Sequence, residues 1–325
     1  MQAKPNAFGD VRAENDHRTL DEAFLEGQDY KALLESSDRF IVVGRRGTGK
    51  SALVYQLSKV WTGRKNPIIL IAPVEEQLIG LRPLAAQFGA TVIRVRAGIK
   101  LAWKYALLME IAVDLQGDYK AKRFIDDNRF LSLHVASWKS SGNDCISRLR
   151  AKLKSFEKAV QGEEERIGEV ADYLELPRLT ASIVEAVNAL DKTFVLLIDR
   201  LDEGYEPDEI GTGIVDGILY GTDEVRTALG TKVRAAVFIR DNMLRAIEVE
   251  DKDFTRNLES QVIRLHWDPQ ELFYLIARRI RLAFGVTKES DVKAWNAITS
   301  NELHGRDGFK KCLRLTLYRP RDGIA

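Results

Sequence analysis

Gly44, Gly49, Lys50 and Ser51 stand in the order glycine, four residues, glycine, lysine, serine within the stretch GRRGTGKSAL. That order is the pattern of a loop that holds phosphates. Glycines let successive backbone N–H groups curl around a phosphate with no side chain in the way. A helix beginning near Lys50 turns its positive end toward the same charge. Lys50 brings an ammonium on a long stem to the β and γ phosphates, and the Ser51 hydroxyl is placed to ligate Mg²⁺. The whole loop, Gly44, Arg45, Arg46, Gly47, Thr48, Gly49, Lys50 and Ser51, is therefore a candidate nucleotide-binding segment. The reading requires a strand before the loop and a helix after it. FIVV precedes it and VYQLSKV follows it, which meets both requirements.

Phosphoryl chemistry also needs carboxylates, to hold the metal and to orient the attacking water. FVLLIDRLDEGYEPDE supplies them. Asp199 follows five apolar residues, which puts it at the carboxyl end of a strand, the edge at which α/β sheets hold their ligands. It is assigned to the magnesium shell, through water. Asp202 and Glu203 lie just beyond and are the candidates to orient water or act as general base.

Other reactive side chains give weaker signals. His17, His134, His266 and His304 are scattered, Cys145 and Cys312 have no partner at metal-ligand spacing, and no zinc site is expected. The stretch CISRLRAKLKSFEKAV gathers Arg148, Arg150, Lys152, Lys154 and Lys158, and reads either as a face for DNA phosphates or as a solvated amphipathic helix. Arg278, Arg279 and Arg281 fall on mixed faces of a helix and are expected to be surface or lid contacts. Trp103 lies in an apolar helical stripe and is expected in the core.

Around these residues the chain must build a scaffold. Its 325 residues, 45% hydrophobic and 30% charged, are enough for one large or two ordinary folded domains, and a net charge of +1 names no partner. The opening MQAKPNAFGDVRAEND has no apolar segment followed by small residues, and no apolar run reaches membrane-spanning length. The expectation is a cytoplasmic protein with no membrane partner. Short β-rich apolar runs occur at 39–44, 67–73, 193–199, 234–239 and 261–267, with a weaker one, ATVIRVR, at 90–96. Helix-period stretches separate them, and the alternation predicts a parallel sheet flanked by helices. From about 117 to 190 the pattern is mostly helical, with a polar piece at 117–144 that reads as loops. After 268 a helical tail follows.

A phosphate loop, a long gap and an apolar strand ending in IDRLDE resemble the AAA+ and STAND-like P-loop ATPases, including KAP-type and origin-recognition-like bacterial members. The resemblance covers about residues 35–325. It implies an α/β P-loop NTPase fold with a helical insertion and a small C-terminal all-α lid. The expected layout is an N-terminal segment at 1–37, an ATPase core at 38–267 with its insertion at about 100–190, and the lid at 268–325. In that class a further strand ends in a polar sensor of the γ-phosphate. AAVFIRDNML fits, with Arg240 at the strand end, as in the arginine sensors of STAND-like members. LYRPRDGIA resembles a second sensor, with Arg321 or Arg319 reaching the nucleotide, and Arg256 in DKDFTRNLES stands where a finger acting on a neighbouring subunit is often found.

The sequence departs from the AAA+ motors in one place that matters. They carry glutamate directly after the magnesium aspartate, and here Arg200 stands there. The base then falls to Asp202 or Glu203, and the resemblance implies slow turnover, suited to a switch rather than a motor. ATP is expected over GTP because the Asn-Lys-x-Asp guanine signature is absent. The functional expectation is an ATP- and Mg²⁺-dependent regulatory ATPase that forms homo-oligomers through its ATP sites, with an effector or second protein as partner, in anti-phage defence or signalling. A DNA-handling ATPase of the origin-recognition or transposition-regulator type is the alternative, although the net charge does not favour DNA. A scaffold that binds ATP with little turnover is the third reading, motivated by Arg200.

Overall fold

The computed structural model describes residues 8–10, 13–159, 166–285 and 290–324. In chain order its elements are α1 (His17–Ala23), α2 (Gln28–Glu35), β1 (Ile41–Val43), α3 (Lys50–Gly63), β2 (Ile68–Ile71), α4 (Glu75–Ile79), α5 (Arg82–Ala86), α6 (Val92–Gly117), α7 (Lys122–Asp126), α8 (Arg129–Ser140) and α9 (Cys145–Ala159). They continue with α10 (Arg166–Tyr173), α11 (Leu176–Asn188), β3 (Phe194–Ile198), α12 (Glu209–Leu229), β4 (Val233–Ile239), α13 (Asp241–Glu250), α14 (Phe254–Asn257), β5 (Val262–Arg264), α15 (Pro269–Phe284), α16 (Asp291–Asn296), α17 (Gly305–Leu313) and α18 (Pro320–Ile324).

The fold is α/β. Five strands form one parallel sheet in the order β2-β3-β4-β1-β5, flanked by helices. The register pairs Ile68 with Val195 and Ile71 with Ile198, and Phe194 with Val233. Both β1, IVV, and β3, FVLLI, are buried at every position, which is why their sequences run apolar without alternation. The five stronger strand runs in the sequence all contain an observed strand.

Two expectations need correction. ATVIRVR is not a strand: Val92, Val95 and Ile99, spaced three and four apart, are buried along α6 while Ile93 is 55% exposed. That spacing is helical, and a seven-residue window was too short to distinguish it from a strand. The polar piece at 117–144 is not mainly loop. Asn128 caps α8 by accepting from the Leu131 N–H (3.2 Å), and Leu131, Val135 and Trp138 form its buried stripe.

The chain divides into two compact units, residues 1–36, 42–60 and 263–325 in the first and residues 37–41 and 61–262 in the second. In the first unit, Phe273, Trp295 and Phe309 meet edge to face at the centre of an apolar cluster drawn from α15, α16 and α17. Arg279, expected at the surface or in a lid contact, is 4% exposed; its guanidinium donates to the Asp16 carboxylate (2.7 Å) and to the Phe8 carbonyl (2.5 Å). A buried arginine is retained only when paired in this way.

In the second unit the longest helices, α6 and α12, pack closely because α12 carries Gly213, Gly217 and Gly221 one turn apart on the shared face. A Cβ on Gly217 would fall 2.8 Å from the Ile99 side chain and 3.0 Å from the Arg96 carbonyl. Trp103 is fully buried, as expected, and its indole N–H donates to the Thr222 hydroxyl (3.0 Å) across the same face. Lys100 and Lys104 both reach Glu224 at 2.9 Å. Gly217→Val is expected to lower unfolding free energy by about 3 kcal/mol, since two rigid backbones must part. Gly168→Ala in α10, where an added Cβ meets nothing within 4 Å, is expected to raise stability by roughly 0.5 kcal/mol. Urea denaturation of both variants checks the contrast; equal effects would remove the close-packing explanation.

Candidate phosphate loop and acidic strand end

In the first unit, residues 44–49 connect β1 to α3 and form a curled backbone. Its three glycines are required for different reasons. Gly49 has φ +96° with open space around it, so only the dihedral demands glycine. Gly47 has φ +87°, and a Cβ there would also stand 2.9 Å from the Arg321 Cβ. Gly44 has an ordinary conformation, but a Cβ would fall 2.5 Å from the Thr48 hydroxyl.

The loop is held from within and from the C-terminal segment of its own unit. The Thr48 hydroxyl donates to the Arg45 carbonyl (2.9 Å). The Lys50 ammonium donates to the Gly44 and Arg45 carbonyls (2.7 and 3.1 Å), which fixes the positive charge inside the curl. The Trp267 indole donates to the Thr48 carbonyl (2.9 Å). The Arg319 guanidinium donates to the Arg46 carbonyl (3.1 Å), and the Arg321 backbone N–H donates to the Gly47 carbonyl (3.3 Å). Two hydrogen bonds to Asp322 orient Arg319 and hold the Asp322 carboxyl below the usual carboxylate range. Ser51 falls in the first turn of α3, a turn with no acidic residue to offset the helix's positive end.

The structure therefore brings Arg45, Arg46, Gly47, Thr48 and Lys50 into one curl and sets Arg319 and Arg321 against its backbone. Trp267 was missed by sequence reasoning. Its signal was only that a lone indole ended the fifth strand run, and an indole donor needs an acceptor when buried.

In the second unit, Asp199 is 5% exposed at the end of β3, with its N–H donating to the Ile71 carbonyl (2.9 Å). The backbone turns sharply next. Arg200 takes φ +62°, uncommon for a residue with a side chain, and the Glu203 N–H returns to its carbonyl (3.1 Å). The Asp202 carboxylate forms an ion pair with Arg240, the residue that precedes α13. Glu203 is more open, with its side chain 41% exposed against 16% for Asp202 and with Arg200 Nε at 4.0 Å. Further along, Arg82 binds Asp208 (2.5 Å) and Glu206 (3.0 Å), while Asp208 caps α12 through the Gly211 N–H (2.8 Å).

The remaining sequence candidates have these positions. Arg256 is exposed on α14. The basic helix α9 is amphipathic, with Lys154 and Lys158 exposed: Arg148 donates to Glu110 (2.9 Å) and to the Gly142 carbonyl (3.0 Å), and Lys152 lies over the Tyr105 and Tyr173 rings. Burial holds the Lys152 ammonium below its usual range. Among the described residues no cluster of three His, Cys, Asp or Glu could hold a metal, and no helix is long and apolar enough to cross a membrane.

The chain is 42% identical over 323 residues to the transposon gamma-delta 80.3 kDa protein of Escherichia coli (strain K12), covering 99% of this chain and 46% of that protein. It is also 51% identical over 85 residues to allergen Alt a 2 of Alternaria alternata, covering 26% of this chain and 45% of that protein. The chain thus spans about half the length of the first of these curated relatives. No family model and no solved structure matches it.

Proposed function

We propose that this protein is a P-loop ATPase of the AAA+ and STAND-like class, working as a cytoplasmic molecular switch that assembles with copies of itself when ATP is bound. The observation that carries the reading is the loop at 44–51: two glycines at positive φ between a buried strand and a helix, with the Lys50 ammonium inside the curl. Phosphate oxygens are stronger acceptors than the two carbonyls that Lys50 now contacts, because hydrogen bonds between charged groups are shorter and stronger. A triphosphate would draw Lys50 onto its β and γ oxygens while the loop N–H groups take the rest.

Magnesium, when bound, neutralises charge on the phosphates, and the oxygen donors assigned to it are Ser51 directly and Asp199 through water. For the base, the second unit supplies a preference. Asp202 is engaged by Arg240, whereas Glu203 is the more open carboxylate. In this reading Glu203 accepts a proton from water as the water oxygen bonds to the γ-phosphorus and the bond to the bridging oxygen breaks, releasing ADP and phosphate. Asp202 then acts by positioning Arg240, the residue assigned to sense the γ-phosphate. Arg319 and Arg321 tie the C-terminal helix to the loop backbone, and Arg256 is the residue assigned to a neighbour's site.

Glu203→Gln is expected to lower steady-state ATP turnover about a hundredfold with ATP binding retained, and Asp202→Asn to change it by less than about tenfold. Phosphate release at saturating ATP and Mg²⁺ measures both. Wild-type turnover in Glu203→Gln would sink the base assignment; a wild-type protein that binds ATP and never releases phosphate would be the scaffold instead. Solution mass with no nucleotide, with ADP and with a non-hydrolysable ATP analogue tests the switch. A monomer in all three states would end the shared-site part of the proposal.

A further inference from the structure

Helix α9 is amphipathic, with Arg148 and Lys152 held in internal contacts, and the second unit has another concentration of cationic side chains. A cavity of about 620 Å³ opens between α7, α8 and α11. Three arginines from three different helical segments line it: Arg123, Arg129 and Arg178, all exposed. No ion pair joins any of them to a carboxylate among the described residues.

Two of the guanidiniums sit over aromatic rings. Arg178 lies over the Phe130 ring at 4.2 Å and Arg123 over the Phe124 ring at 5.2 Å. A guanidinium stacked on a ring is oriented without consuming its N–H donors, so its in-plane edges stay available to an oxyanion and its outer face to a planar group. The sequence carries the arrangement as a doublet: the pair Arg-Phe occurs at 123–124 and again at 129–130, within RFIDDNRF. Asp127 and Glu185 also line the cavity, while the Asn128 amide beside them is used within the fold, on the Ser182 hydroxyl (3.5 Å) and the Leu131 N–H. Carboxylates beside arginines would oppose a bare polyanion, yet they accept hydrogen bonds from the exocyclic amino groups of bases.

We propose that the cavity between α7, α8 and α11 binds single-stranded nucleic acid, with Arg123, Arg129 and Arg178 on phosphates and Asp127 and Glu185 on base edges. A volume of about 620 Å³ admits a nucleotide, and exposed arginines at its rim let the strand continue on either side. A duplex keeps its base edges paired and presents no free planar group to the guanidinium faces, so the single strand is the form that fits. This site is independent of the ATP reading and stands if that reading falls.

The test uses the full chain and a fluorescent single strand of about a dozen nucleotides of mixed sequence, followed by anisotropy at several salt concentrations. Binding should weaken with salt at a log–log slope of about −0.7 for each phosphate held, near −2 if the three arginines each hold one. Arg129→Gln and Arg178→Gln should each weaken binding about tenfold and make the slope shallower by about 0.7, with thermal unfolding and ATP binding unchanged. A free mononucleotide or inorganic phosphate that displaces the strand at equal concentration would overturn the strand assignment in favour of a small phosphate ester. Equal affinity for the duplex of the same sequence, or strand binding indifferent to both substitutions, would overturn the site.

Discussion

Replacing Lys50 by alanine is expected to weaken ATP binding by between about tenfold and a hundredfold and to cut turnover by a further factor, to a total loss of about 10²–10³. The first figure follows from deleting one charge-assisted hydrogen bond to phosphate, worth about 1.5–3 kcal/mol. The second follows because the ammonium also meets charge that develops on the transferred group. The fold should survive. Lys50 is only half-buried, its acceptors include two backbone carbonyls of the same curl, and water can replace the ammonium on them. Lys50→Arg is expected to rescue little, since a planar fork does not fit where a compact point charge is enclosed by two carbonyls. Calorimetric titration with ATP and ADP, beside a thermal melt, separates the two effects. Undiminished ATP affinity in Lys50→Ala would mean that residues 44–51 are a structural turn.

The curl at 44–49 was legible in the sequence because its conformation is set locally. Gly47 and Gly49 through their dihedrals, Gly44 through its closeness to Thr48, and Lys50 through its reach all act within a few consecutive positions. Strands β1 and β3 were legible for a related reason: full burial on both faces writes itself as an unbroken apolar run. What escaped depended on partners distant in the chain. Arg279 looks like any helix arginine until Asp16 is placed against it, and Asp202 looks like an equal candidate to Glu203 until Arg240 takes hold of it. The start of α6 was misread because Val92, Ile93 and Val95 satisfy a strand composition over a short window, and only Ile99 and Trp103 farther on fix the helical period. The stretch at α9 allowed a DNA face or a solvated amphipathic helix; Ile146, Leu149, Leu153 and Phe156 bury one side of it, and Glu110 and two tyrosine rings take Arg148 and Lys152, contacts that composition does not show.

Asp216 gives the largest expected effect on stability, and its sign is set by pH. It is fully buried on α12, and neither of its carboxylate oxygens accepts a hydrogen bond among the described residues. Its nearest cation is Arg96, with Nε at 3.9 Å, but that guanidinium is taken by Asp251 at 2.5 Å and lies over the Tyr220 ring. Tyr220 in turn donates its hydroxyl to Asp251 (2.8 Å). One arginine therefore serves two carboxylates, and Asp216 is the one left with little. Burial and the Asp251 charge push its carboxyl up to about 8 against a partial offset from Arg96, so it is mostly protonated at neutral pH. In the unfolded chain an aspartate titrates near 3.9. Between those values the native state holds a proton that the unfolded state has released. Stability is thus full below about pH 4 and is lost as pH rises toward 8, by up to ~1.4 kcal/mol per unit and roughly 5 kcal/mol across the window. Asp216→Asn removes this dependence, so the variant should overtake the wild type as pH rises. Urea midpoints for both proteins at several values from pH 5 to pH 9 isolate the term, because the other titrating groups are common to both. Parallel curves would show that Asp216 is ionised in the native state and compensated by Arg96. The location gives the effect a functional reach: α12 follows the turn bearing Asp202 and Glu203, and α13, whose C-cap is Asp251, follows Arg240. Ionising Asp216 puts a second carboxylate charge on the one Arg96 that also holds Asp251, against the helices that follow Asp202 and Arg240, so wild-type turnover is expected to fall above pH 8 and Asp216→Asn turnover to hold.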